Sequence, residues 1–199
     1  FAGPHTACGE PMRAVPGLLL VFAVACASAP PPKTEYLLRY DAPPSAEVLP
    51  SRSRVGLRRV LVAAYLNQPG LAVETTENEV RPARSHLWAE PLDVGLTLFL
   101  RAAIADALGE EVGMVTRSVP QWERSVDVFV EQFHGTMSGN AVLVASFQIT
   151  SGAASAPTEY RFARSIPLES EGYAALVRAE KQLAEQLAAA IVAALTSTR

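Results

Sequence analysis

Residues 18–26 read Leu-Leu-Leu-Val-Phe-Ala-Val-Ala-Cys and give way at once to Ala27-Ser28-Ala29-Pro30-Pro31-Pro32. A helix that crosses a bilayer needs about 20 apolar residues, so this short run fits the apolar centre of a secretory leader instead. The small side chains of Ala23 and Ala25 flank the point where a signal peptidase would cut, which predicts a leader over residues 1–25. Arg13, the positive charge a leader should open with, directly follows Met12, so residues 1–11 are expected to lie outside the native protein. What remains, residues 26–199, is the right length for one domain with its own core.

Charge and thiols narrow the function. The chain carries 17 basic and 20 acidic residues, and removing residues 1–25 deletes only Glu10 and Arg13, so the net charge stays at −3. With no basic stripe to neutralise phosphates, nucleic acid is not an expected partner. Cys8 falls in the leader and Cys26 at its end, so no thiol is left for catalysis or a disulfide. Ala23-Val24-Ala25-Cys26 resembles a bacterial lipobox, in which the cysteine is joined to diacylglycerol and becomes the first residue of the mature chain. Lipidation of Cys26 is therefore expected, with residues 26–33 as a flexible tether whose prolines favour extended backbone. Buried methylenes stabilise a membrane anchor by about 0.8 kcal/mol each, so several acyl chains hold firmly. Among bacterial lipoproteins it is mainly an acidic second residue that retains the protein at the inner membrane. Ala27 in that place points to the outer membrane.

The domain, residues 34–199, reads as alternating strand and helix signals. Residues 33–40 predict a strand with Tyr36, Leu38 and Tyr40 on one face, and residues 54–62 a second strand. A turn at Asn67-Gln68-Pro69-Gly70 precedes a hairpin, residues 71–75 and 79–82, closed near Glu77-Asn78. Its charged flanks and Pro82 suit an exposed edge. Trp88-Ala89-Glu90-Pro91-Leu92-Asp93 predicts a helix start, with proline near the first position and acids in the first turn. Leu92, Leu96, Phe99, Leu100, Ala103, Ile104 and Leu108 form its apolar stripe up to Gly109. After a short strand at residues 112–115 comes a meander of three strands, at residues 125–134, 141–150 and 158–166. In the first of these, Val126, Val128 and Val130 are expected on one face and Phe129 and Phe133 on the other. A closing helix over residues 172–195 carries Leu176, Val177, Leu183, Leu187, Ile191, Val192 and Leu195 on one stripe. This order predicts an α+β fold: a largely antiparallel sheet with two long helices packed on one face.

Groups that could converge for catalysis are few. His86 and His134 are the imidazoles of the domain, and neither has a second His or Cys at ligand spacing, so each is read as a solvated or core-edge residue. Glu110-Glu111 diverge at a helix end. Nucleophile-elbow, zinc-protease, phosphate-loop and dinucleotide motifs do not occur. No catalytic residue, metal or cofactor is expected, and the chain is read as a non-enzyme. Arg52, Arg54, Arg58 and Arg59 form a basic cluster read as a solvated face, and Trp88 as a core plug at the helix start.

Tyr65-Leu66-Asn67-Gln68-Pro69, followed some twenty residues on by Trp88-Ala89-Glu90-Pro91-Leu92, resembles the ABC-type transport auxiliary lipoproteins, the PqiC-like family that also includes YmbA-like outer-membrane lipoproteins. These carry a Y-L-x-x-P segment and then a W-A-E-P-L segment opening the first long helix. The resemblance extends over the mature chain, from the lipobox to the closing Ala/Leu-rich helix. It implies an outer-membrane lipoprotein that works with an MCE-domain protein and inner-membrane transporter components, docking a periplasmic lipid tunnel and supporting membrane integrity, in a ring of identical subunits. In that reading Tyr65, Leu66, Pro69, Trp88, Glu90, Pro91 and Leu92 are structural or interface residues. Two other readings stay open at this point: a lipoprotein that binds envelope polymer or stabilises an assembly, and a periplasmic lipid-binding carrier.

Overall fold

A thirteen-residue strand, Arg124–Thr136, is the spine of the sheet. The computed structural model describes residues 32–41, 54–115, 122–152 and 155–197. Its strands in chain order are β1 (Thr34–Tyr36), β2 (Val55–Leu57), β3 (Leu61–Val62), β4 (Gly70–Thr76), β5 (Glu79–Trp88), β6 (Val112–Met114), β7 (Arg124–Thr136), β8 (Asn140–Ser151) and β9 (Thr158–Pro167). A 3-10 turn, Ala64–Leu66, follows β3, and the helices are α1 (Leu92–Leu108) and α2 (Tyr173–Ser197).

β8 runs antiparallel along one edge of β7, and β9 runs antiparallel to β8. The opposite edge of β7 is shared by three short parallel strands placed end to end: β2 beside Arg124–Val126, β3 beside Phe129 and Val130, and β4 beside Gly135 and Thr136. β6 extends the sheet beyond β2, while β5 and then β1 extend it beyond β4. The long ladders are thus antiparallel, as expected, and the short pairings make the sheet mixed. Parallel neighbours need a crossover, and the path from β4 to β7 supplies one through α1.

Two bulges depart from the sequence-based expectation. Residues 54–62 form two strands rather than one, because four chain steps from Leu57 to Leu61 face three on β7, from Val126 to Phe129. There the Val60 amide leaves the ladder and donates to Thr97 Oγ1 at 2.9 Å, whose hydroxyl in turn donates to the Asp93 carbonyl at 2.5 Å. The second bulge lies in β7, where Val130 pairs with Ala145 but Gln132, not Glu131, pairs with Val144. Strict alternation puts Phe133 on the same face as Phe129, opposite Val126, Val128 and Val130. The extra residue resets the phase, so Phe133 is 1% exposed in the core while Phe129 is 42% exposed.

β1 pairs over Thr34–Tyr36 only, yet the alternation carries on beyond it, with Leu38 buried and Leu37 exposed. The hairpin closes at Glu77-Asn78, where Asn78 adopts φ 71°, a conformation Asn tolerates better than most residues. β5 continues past Pro82 to Trp88, and Pro82 lies where β5 has no β1 beside it, since β1 pairs only with His86, Leu87 and Trp88.

α1 starts where proline and Asp93 predict and stops at Gly109, which takes φ 65° just past its end. Its stripe from Leu92 to Ile104 is buried, with Leu108 half-buried. α2 presents Leu176, Leu183, Leu187, Ile191 and Leu195 to the core together with Ala175, Ala179, Ala184, Ala188 and Ala194. Val177 and Val192 sit half-buried at the margin of that face. Each fully buried Leu or Ile contributes about 1.5–3 kcal/mol of transfer free energy. At the far end of α2, Arg124 donates to the Leu195 carbonyl at 2.5 Å, a cation on the negative pole of the helix.

Candidate functional site: the cleft where two motifs meet

The turn after β3 is built by local hydrogen bonds. The Ala63 amide prolongs the ladder to the Val130 carbonyl at 2.8 Å, the Leu66 amide donates to the Ala63 carbonyl at 2.9 Å, and Gln68 Nε2 donates to the Tyr65 carbonyl at 2.7 Å. The chain then reaches Pro69, whose carbonyl accepts the Trp88 amide at 2.7 Å. That bond joins two segments about twenty residues apart in the chain. From Trp88 the backbone is tied to β1 by the Ala89 amide on the Tyr36 carbonyl at 2.8 Å, and it enters α1 through Pro91, whose carbonyl accepts the Val94 and Gly95 amides at 3.0 Å.

Between the two segments lies an open cleft of about 470 Å³ lined by Arg59, residues 66–69 and residues 88–93. Leu66, Pro69, Trp88, Glu90, Pro91 and Leu92, six of the seven residues singled out in the sequence, line it together. Trp88 is 7% exposed and stacks on Phe133 at 6.3 Å between ring centres, so it plugs the core and offers only an edge to the cleft. The rim is charged but paired: Arg39 holds Glu90 with both guanidinium nitrogens, one at 3.0 Å, and Arg59 Nε donates to Asp93 at 2.7 Å. The Arg39 hydrogen bond holds the Glu90 carboxyl below the ordinary range and raises Arg39 in return. Side chains this accessible to water stabilise the fold by about 1 kcal/mol at most, so the pair chiefly sets the shape of the rim.

Tyr65, the seventh motif residue, turns away from the cleft. Its hydroxyl lies 2.9 Å from His134 Nδ1 and accepts the Phe133 amide at 3.4 Å. His134 Nε2 is 3.8 Å from Glu74 Oε2. Burial raises the Tyr65 phenol and lowers His134, which Glu74 partly offsets. Glu180, inside α2, is 1% exposed, has no partner for Oε2, and is pushed well above the ordinary carboxylate value by burial. Sequence reading missed it, since one acid in an Ala/Leu helix looks like part of a solvated face.

The other sequence candidates disperse. His86 accepts or donates at Tyr36 Oη, 3.0 Å away, and stacks on Tyr173 at 4.2 Å, apart from His134. Among the described residues no three His, Cys, Asp or Glu side chains are grouped to hold a metal. The arginine cluster is a set of ion pairs rather than a free basic patch: Arg54 with Glu123 at 3.3 Å, Arg58 with Asp127, and Arg59 with Asp93. Cys26, Arg52 and the tether up to residue 31 lie outside the described residues.

A family model described as the ABC-type transport auxiliary lipoprotein component matches residues 36–192. No curated protein matches the chain. Among solved structures, an uncharacterised protein is 21% identical with a TM-score of 0.69, covering 83% of this chain and 99% of its own. Protein XCC0632 from Xanthomonas campestris is 18% identical with a TM-score of 0.66, covering 80% and 92%. The PelC dodecamer from Paraburkholderia phytofirmans is 12% identical with a TM-score of 0.35, covering 71% and 92%. At these identities the first two likenesses bear on the fold alone.

Proposed function

The chain belongs to the family of ABC-type transport auxiliary lipoprotein components, and from that premise we propose that it is a non-enzymatic docking subunit of an envelope lipid transport system. In this reading Cys26 carries the lipid that holds the domain at the outer membrane, facing the periplasm, and residues 27–33 give it reach. The partner is an MCE-domain protein whose tunnel leads from inner-membrane transporter components, and several copies of this chain form a ring that receives it. The energy comes from the transporter, so this subunit needs a shaped surface rather than reacting groups. Docking of this kind supports the integrity of the membrane.

The observation that carries the reading is the meeting of both motifs at one cleft. Six motif residues converge there, and the Trp88 to Pro69 hydrogen bond fixes their spacing. A cleft with an apolar floor and a rim of paired charges suits the anchor residue of a protein partner. Asn67 is exposed on its wall, so Asn67→Trp fills the cleft without disturbing the core. Affinity for an MCE-domain protein of the same organism, measured with both purified proteins, should fall by about tenfold or more. Undiminished affinity overturns the cleft as the docking site. Mass spectrometry of the mature protein should find Cys26 acylated, and a bare thiol there overturns the anchor.

A further inference from the structure

The Tyr65 phenol holds the Y-L-x-x-P turn to β7, and the roles of its atoms can be assigned. The Phe133 amide, 3.4 Å away, can only donate, so the phenol oxygen accepts there. The single phenol hydrogen is then free to go to His134 Nδ1 at 2.9 Å, which makes that nitrogen an acceptor and leaves the imidazole hydrogen on Nε2, facing Glu74 at 3.8 Å. Each partner of the phenol comes from β7, and the phenol itself comes from the turn that forms one wall of the cleft.

We propose that Tyr65 and His134 form a proton-operated latch on this turn: with His134 neutral the phenol is clasped to β7, and a proton taken up at Nδ1 unclasps it. A proton from solvent on Nδ1 turns the acceptor into a donor, so the phenol loses the hydrogen bond it donated there, and keeping the contact requires its oxygen, already accepting from Phe133, to accept from the imidazolium as well. Among the described residues the phenol makes no third hydrogen bond. Two titratable groups face the pair, Glu74 from β4 and Glu180 from α2, the latter acting on the phenol. β8 places apolar Val142 opposite His134. Glu74 favours the charged imidazole and burial opposes it, and burial dominates, so His134 is held below its ordinary value. The sign follows: the clasp is fully present above the value of an exposed histidine, about 6.5, and weakens as pH falls below it. The inference concerns the seating of the turn and is independent of what the cleft binds.

Hydrogen exchange read by NMR on the full chain in detergent, from about pH 7.5 to about pH 5, tests it. Protection of the Leu66 and Asn67 amides, corrected for intrinsic rate, should fall by up to about tenfold per pH unit below about pH 6.5. His134→Gln should abolish that dependence. Glu180→Gln should leave it in place. Tyr65→Phe removes the donor that favours neutral imidazole, so His134 itself should titrate at higher pH in that variant. Protection that ignores pH in the unsubstituted protein, a step that survives His134→Gln, or one lost in Glu180→Gln overturns the latch. Should His134→Gln fail to fold, the Tyr65→Phe shift decides alone, and its absence overturns the proposal.

Discussion

Phe129 and Phe133 lie four residues apart on β7, and strict alternation assigns them the same face, so truncating each to alanine measures what the bulge at Glu131 does. Phe133 is 1% exposed and stacks on Trp88 at 6.3 Å. Removing a ring from such a site costs about 3–5 kcal/mol, of which the aromatic pair accounts for about 0.5–1.5 kcal/mol. Phe129, 42% exposed beside Leu61, has little to lose, and its truncation should cost about 1 kcal/mol or less. For a domain of this size each kcal/mol shifts the melting temperature by about 2–4 °C. Phe133→Ala should therefore melt about 6–20 °C lower and Phe129→Ala no more than about 4 °C lower. Since domains are stable by about 5–15 kcal/mol in all, Phe133→Ala takes a large share and its urea midpoint should fall accordingly. Equal costs for the two substitutions, or a greater cost for Phe129→Ala, would refute the claim that the bulge sets which phenylalanine enters the core.

Other outcomes follow from the same packing. Burial raises Glu180, so its contribution is favourable below the ordinary carboxylate value of about 4.3 and is lost as pH rises; Glu180→Leu should gain about 1–3 kcal/mol at pH 8 and flatten the pH dependence of chemical unfolding. Gly56 and Gly113 pair across β2 and β6 under the Trp122 ring, and a Cβ on Gly113 would meet it at 2.2 Å. Gly113→Ala should cost about 1–3 kcal/mol in the same titration and move tryptophan emission to the red as the ring is displaced. Arg124→Ala removes the cation at the end of α2 and should cost about 1–2 kcal/mol, lowering the melting temperature without altering the affinity of the cleft.

Sequence legibility tracked how local each signal was. The start of α1 was legible because proline and Asp93 act within one turn, and its stripe because the period of a helix is fixed by its own geometry. The hairpin and the meander were legible for the same reason, since alternation and turn residues lie side by side in the chain. The bulges were not, because the count of residues against a partner strand is a property of the pair. The parallel pairings of β2, β3 and β4 on β7 join residues about sixty or more positions apart, and periodicity carries no information about partners at that distance. Glu180 and Trp122 escaped because their environment is made by other elements: α2 turns its acid inward beside Tyr65, and two glycines clear a bed for the indole.

The motif residues divide by the job each does, and the division bears on how the pattern should be used. Pro69 and Trp88 are joined through backbone atoms, so their side chains are constrained by the turn and the core as well as by any partner. Tyr65 faces β7 and never reaches the cleft, so a substitution there acts on the seating of Leu66 and Pro69 and only through them on docking. Glu90 is different: it lines the cleft, and its ionic partner among the described residues, Arg39, comes from outside both motifs, just after β1. Replacing Glu90 by Gln would keep a hydrogen bond to Arg39 while removing the charge, at a cost in stability of about 1 kcal/mol or less. If the cleft docks a partner, a change in affinity larger than that loss of stability must come from charge at the rim, which separates interface from scaffold within a single five-residue motif.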